Sequence, residues 1–220
     1  MPPTGNYCTH PGCSRQGYTL ETLTATDISG KGLALTKVSD GEYTLLNFSV
    51  DIPADAYYYD AVLWAAKNGI TEGTSATTFS PDMDCTRAQM VTFLWRAVGS
   101  PEPTANVCPF TDVDLDSYYG KAVLWAVESG ITKGTSATTF SPDMACSRAQ
   151  MVTFICRMAD GKPVSIIAFT DVPADAYYAE SVQWAVENGI TNGTGDNKFS
   201  PDATCTRAQM VTFLYRYFEN

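Results

Sequence analysis

Asp171-Val-Pro-Ala-Asp-Ala-Tyr-Tyr-Ala179 opens a segment that the chain writes three times. Its counterparts are Asp51-Ile-Pro-Ala-Asp-Ala-Tyr-Tyr-Tyr59 and Asp112-Val-Asp-Leu-Asp-Ser-Tyr-Tyr-Gly120. Each then runs through Trp-Ala, Gly-Ile-Thr and Phe-Ser-Pro-Asp, and closes on Cys-Thr/Ser-Arg-Ala-Gln-Met-Val-Thr-Phe. The spacing does not drift: Asp51 to Trp64, Asp112 to Trp125 and Asp171 to Trp184 are all 13 steps, and each Trp lies 23 steps before Arg87, Arg148 or Arg207. Units this small cannot bury a core alone and must pack on one another. A site made of repeated residues should therefore recur about three times.

Within each unit the pattern reads helix, loop, helix. Tyr57 to Asn68 carries apolar residues on more than one side, as a helix buried on several faces does. Gly69, Gly130 and Gly189 stand where a left-handed C′ residue ends such a helix. A loop of about a dozen residues follows. Thr86, Ser147 or Thr206, with Gln89, Gln150 or Gln209 three residues on, then spells a capping box. Met90, Phe93, Leu94 and Ala97 form the buried face of the second helix, and Met151 and Met210 open the equivalent faces. The fold expected is mainly α: three helix-loop-helix repeats, over residues 47–100, 109–160 and 168–220. Residues 1–46 read as an irregular, β-rich segment, the end of an upstream domain, with short strands at Thr19–Thr26, Leu33–Val38 and around Tyr43.

Composition removes several function classes. The 220 residues are 45% hydrophobic and carry a formal net charge of −10, which leaves no basic face for nucleic acid. No apolar run is long enough to insert in a membrane. The first residues lack the regions of a signal peptide, and the chain reads as a fragment of a longer exported polypeptide. The single histidine, His10, lies outside the repeats, so no Ser-His or Cys-His pair serves the repeated body and no enzyme is expected. Cys8, His10 and Cys13 are close together, but structural zinc takes four ligands; a local disulfide or irregular tail is expected, with no metal and no cofactor. Cys85, Cys146 and Cys205 share one repeat position and read as small buried packing residues.

The arginines are the strongest candidates for function. Arg87, Arg148 and Arg207 fall on the first helical position, where backbone N–H groups are unpaired and the helix dipole is positive. Two partners suit them: the opening carboxylates Asp51, Asp112 and Asp171, or an anionic ligand held by fork and helix end together. Tyr57, Tyr118 and Tyr177 either stack on a sugar face or plug the core. Trp64, Trp125 and Trp184, among alanines, read as core.

Phe169-Thr-Asp-Val, Gly189-Ile-Thr-Asn-Gly193, Phe199-Ser-Pro201 and Thr206-Arg207-Ala208-Gln209 together resemble the S-layer homology domain, and the resemblance covers about residues 48 to 218. It departs from the family pattern in Gln for the final Glu, in Tyr for the first-helix Trp, and in Phe48 lying one residue early. The resemblance implies a pseudo-threefold body with the second helices around a common axis and grooves between units. It further implies non-covalent attachment of exported proteins to the bacterial cell wall, through a secondary cell-wall polysaccharide that often bears pyruvate ketals. Mapped onto this chain, the implied glycan-binding residues are Arg87, Arg148, Arg207, Asp51, Asp112, Asp171, Tyr57, Tyr118, Tyr177, Gly73, Gly134 and Gly193. The competing reading is a structural or protein-interaction module whose arginines make only internal pairs.

Overall fold

The computed structural model describes residues 34–39, 42–46, 51–75, 77–163 and 169–219. Two antiparallel strands, β1 (Ala34–Ser39) and β2 (Glu42–Leu46), precede the repeats, with Ala34 opposite Leu46 and a register shift between Lys37 and Ser39. They match the last two of the three expected strand regions; Thr19–Thr26 and the Cys8, His10, Cys13 group lie outside the described residues, as does Phe48.

Six helices follow. α1 (Tyr59–Lys67), α3 (Gly120–Glu128) and α5 (Ala179–Glu187) are the first helices of their units. α2 (Arg87–Ala97), α4 (Arg148–Met158) and α6 (Arg207–Glu219) are the second. In α2 and α4 the capping box is complete: the hydroxyl of Thr86 or Ser147 accepts from the N3 amide while the Gln side chain accepts from the cap's own N–H. Gly69, Gly130 and Gly189 end the first helices at φ of 68, 69 and 68°.

The helices do not pair as hairpins. The main helix–helix contacts are α1 with α6, α2 with α3 and α4 with α5. Each first helix thus lies on the second helix of the preceding unit, and the last unit closes onto the first. Trp64 of α1 stacks on Phe218 and donates its indole N–H to Glu219 of α6 at 2.7 Å, which ties the two ends of the ring. Met90, Leu94, Met151, Ile155, Met210 and Leu214 are fully buried and form the shared core of the second helices.

Around the axis the backbone closes a small ring. Cys85 N–H donates to the Cys205 carbonyl, Cys146 to Cys85, and Cys205 to Cys146, at 2.8 to 2.9 Å. The three thiols are 1% exposed and free, as their repeated position implied. Burial pushes all three thiol pKa values up, that of Cys146 to about 12, so they are inert packing groups. The tryptophans correct the expectation of simple core residues. Trp184 is buried, with Gly161 lying directly against its ring, but Trp64 and Trp125 are half-buried.

Among the described residues no helix is long and apolar enough to cross a membrane.

Candidate functional site

The second helices begin at the unit junctions, and there the structure departs from the simple helix-end anion site. The N–H of Arg87 donates to the Met144 carbonyl and that of Ala88 to the Pro142 carbonyl, both in the next unit. The N–H of Gln89 goes to Thr86 Oγ1. Arg148, Ala149 and Gln150 repeat this with Ala203, Pro201 and Ser147. Arg207 and Ala208 close the circle on Met83 and Pro81. The orphan donors of each first turn are consumed, two in joining units and one in the helix's own cap, so the backbone offers an anion nothing there. What remains is the guanidinium.

Each guanidinium crosses the same junction. Arg87 Nε donates to the Phe140 carbonyl at 2.8 Å, Arg148 Nε to Phe199 at 3.0 Å, and Arg207 Nε to Phe79 at 2.9 Å. The carbon of each fork stands 4.7 to 5.0 Å from the ring of that phenylalanine, and 5.4 to 5.5 Å from a second ring, that of Phe154, Phe213 or Phe93. Such a sandwich suits a flat, weakly hydrated cation. The three arginines are only 2%, 4% and 2% exposed. Burial lowers their pKa, yet arginine starts so high that the charge persists at neutral pH. Nη2 of Arg87 and of Arg148 is buried without any acceptor. Nη2 of Arg207 reaches Thr71 Oγ1 at 3.5 Å, the outer limit of a hydrogen bond.

The aspartates do a different job from the one expected as ion-pair partners. Asp112 accepts from the N–H groups of Phe140 at 2.8 Å and Ser141 at 2.7 Å, one on each carboxylate oxygen. Asp51 holds Phe79 and Ser80 in the same way, and Asp171 holds Phe199 and Ser200. The serines sit at φ of 57 to 59°, a left-handed conformation that a non-glycine residue keeps only when its surroundings impose it. The carboxylate therefore fixes the loop whose phenylalanine carries the neighbouring arginine. Partial burial alone would raise the pKa of Asp112 and Asp171, but their backbone donors outweigh it and hold both below the usual carboxylate value of 3.8. A group with a depressed folded pKa contributes its full stability above its unfolded value and loses it as pH falls further. Melting temperature should thus be flat from neutral pH to about pH 4 and drop below that; a melting temperature unchanged down to pH 2 would contradict this role.

The glycines also answer to structure. Gly134 (φ +80°) and Gly193 (φ +84°) have no room for a Cβ, which would collide with Phe110 or Phe169 and with loop carbonyls. Tyr57, Tyr118 and Tyr177 precede the first helices rather than belonging to them, and at 65%, 59% and 63% exposed they do not plug the core. Their neighbours Tyr58, Tyr119 and Tyr178 pack against it instead.

These residues meet in grooves, and two of the grooves draw their walls from all three units. One, of about 240 Å³, brings Arg87 of the first unit to Thr132, Gly134 and Phe154 of the second and Tyr177 of the third. Another, of about 330 Å³, brings Arg207 of the third to Thr71, Gly73 and Phe93 of the first and Tyr118 of the second. For the third combination, Arg148 stacks on Phe213 and interacts electrostatically with Tyr57. A second arginine stands in both grooves, Arg157 in one and Arg96 in the other. Its Nη1 donates to the Ile131 or Ile70 carbonyl, and Arg216 does the same to Ile190. This second arginine repeats nine residues after the first, but at a helix C-terminus an arginine equally serves as ordinary dipole compensation, so its type and place alone do not mark it as a site residue. Among the described residues no group of three or more His, Cys, Asp or Glu is placed to hold a metal ion.

A family model for the S-layer homology domain matches residues 50–91, 109–152 and 168–211. The chain belongs to the S-layer homology family. It is 33% identical over 118 residues to a cell surface protein of Thermoanaerobacter kivui, covering 51% of this chain and 16% of that protein. It is 31% identical over 118 residues to the surface-layer 125 kDa protein of Lysinibacillus sphaericus (53% and 10%). A cellulosome-anchoring protein of Acetivibrio thermocellus is 25% identical over 157 residues (67% and 35%). The chain thus spans about a third or less of these curated relatives. Three S-layer homology repeats are an anchoring module of the bacterial cell surface or wall, and the ring described above is how this chain builds one.

Proposed function

We propose that this module anchors a longer polypeptide non-covalently to the cell wall by binding an acidic secondary cell-wall polysaccharide, pyruvylated or otherwise carboxylated, in its inter-unit grooves, and that it performs no chemistry. The observation that carries this reading is the buried guanidinium of Arg87, in a groove wall, with Nη2 lacking an acceptor. A buried donor without a partner costs about 1–3 kcal/mol, and an anion entering the groove supplies the missing acceptor. The 220-residue chain carries a formal charge of −10, so two arginines in one cleft make a local field opposite in sign to the rest of the surface. Exposed Tyr177, Tyr118 and Tyr57 offer a ring face to a sugar. In this scheme Arg87, Arg148 and Arg207 attract the acidic group, the tyrosines stack, and Asp51, Asp112, Asp171, Gly73, Gly134 and Gly193 shape the loops.

Co-sedimentation with bacterial wall sacculi tests it. The chain should pellet with intact sacculi and stay in solution once mild acid has stripped the non-peptidoglycan polymer. Tyr177→Ala should weaken pelleting about tenfold, the worth of one stacked ring, with little change in melting temperature because the ring is exposed. Pelleting that survives extraction would transfer the ligand to peptidoglycan or protein, the latter being the interaction-module reading.

A further inference from the structure

The two grooves with fully defined walls correspond residue by residue, with one exception. Where one has Lys133, the other has Glu72, each between the buried threonine and the loop glycine of Ile-Thr-x-Gly. The other eight wall positions carry identical residue types. Asn192 holds the same place in the third unit. Both Lys133 and Glu72 are exposed, so their charges are not needed for packing. With the two arginines of each cleft, the ionisable wall residues sum to three positive charges around Arg87, Arg157 and Lys133. They sum to a net one around Arg207, Arg96 and Glu72. The third combination, Arg148 and Arg216 with Asn192, falls between.

The arginines of these two grooves differ in the same sense, while Arg148, whose Nη2 also lacks an acceptor, sides with Arg87. Nη2 of Arg87, in the Lys133 groove, has no acceptor, whereas Nη2 of Arg207, in the Glu72 groove, already has Thr71 Oγ1. The groove with the greater positive charge is also the one whose buried donor lacks a partner.

We infer that the residue between threonine and glycine sets the charge selectivity of each groove, so that the Arg87–Lys133–Tyr177 groove is the principal site for an acidic glycan and the Arg207–Glu72–Tyr118 groove is the weakest. This rests on the proposed glycan reading and adds to it which groove engages the anionic group first. The three sites then form a graded series. The Glu72 groove favours sugar hydroxyls over a carboxylate, and the module holds an acidic polymer mainly by one cleft.

The glycines give one reporter per groove. Gly73, Gly134 and Gly193 each donate their N–H to the buried threonine two residues earlier at 3.2 Å, so their amide resonances feel whatever enters beside that threonine. Two probes would be titrated into the labelled 220-residue chain and followed by nitrogen–proton correlation spectra: a hexosamine bearing a pyruvate ketal, and inorganic sulfate. The expected order of saturation with the ketal is Gly134, then Gly193, then Gly73, with about tenfold between first and last from the reversed surface charge. The double variant Lys133→Glu, Glu72→Lys should reverse that order at an unchanged melting temperature. Equal midpoints at the three glycines, or an order that survives the swap, would overturn the inference while leaving glycan anchoring intact. A silent ketal titration with sulfate still moving Gly134 first, and the swap still reversing it, would keep the charge ranking and remove the pyruvylated glycan. Silence with both probes would overturn both.

Discussion

A chain ended at Lys162, which keeps two complete units and discards α5 and α6, is expected to lose cooperative folding altogether rather than a third of its stability. In an open solenoid each repeat touches only its neighbours, and removing a terminal one subtracts one unit and one interface. Here the ends meet. α1 lies on α6, so its buried face of Ala61, Val62, Ala65 and Ala66 would be stripped, and Trp64 would lose Tyr215, Phe218 and Glu219. α4 would lose α5 and, with it, the Phe199 carbonyl that receives Arg148. The ring of cysteine amides would open at two of its three bonds. Thermal unfolding followed by far-UV circular dichroism should change from one sigmoid to a shallow slope. A sharp transition in the two-unit chain would show that the units are independent and that ring closure is incidental. The complementary experiment is a circular permutant that begins at the second unit and joins the original ends through a flexible linker. A ring has no first unit, so the permutant should melt cooperatively.

The same closure explains which parts of the molecule were legible in the amino-acid order. Features that depend on neighbours within about ten residues came through intact: the capping boxes at Thr86 and Ser147, the C′ glycines, and the buried stripe starting at Met90. Their signals are local hydrogen bonds and a 3.6-residue period. The thrice-used cysteine was legible because repetition separates a packing position from a chance thiol. What could not be read is which unit supplies which wall of a groove. Arg87, Gly134 and Tyr177 share a cleft though they come from three units, because the first helix of each unit packs on the second helix of the one before. What the aspartates hold was hidden for a related reason. Opposite charges at fixed spacing suggest an ion pair, but backbone N–H groups in a left-handed turn compete for the same carboxylate, and that turn is visible only in the folded loop. Tyr57, Tyr118 and Tyr177 lie one residue before the ring that packs, and a shift of one residue at a helix start decides between core and solvent.

Arg148 is where stability and binding can be pulled apart, and three substitutions do it. Arg148→Ala should destabilise by about 2–4 kcal/mol, the range for losing a hydrogen bond from a charged donor together with a large buried side chain. It removes the 3.0 Å bond to the Phe199 carbonyl, orphans that carbonyl, and leaves a void between the rings of Phe199 and Phe213. At about 2–4 °C per kcal/mol for a domain of this size, the melting temperature should fall by roughly 10 °C. Arg148→Met should recover most of that loss, because its unbranched chain refills the space between the rings and the cost of a buried charge with an unpartnered Nη2 disappears. Arg148→Lys keeps a charge but not the planar fork that fits between two rings, and belongs between the other two in stability. Binding should follow a different order. Pelleting with sacculi should weaken alike for Ala and Met and less for Lys, by no more than the share of the Arg148 groove because the Arg87 groove is untouched, since the acidic ligand needs the charge and not the volume. If Met restored wall binding along with the melting temperature, the arginine would be a spacer between rings and the anion would have to be sought elsewhere in the groove, first at Arg216.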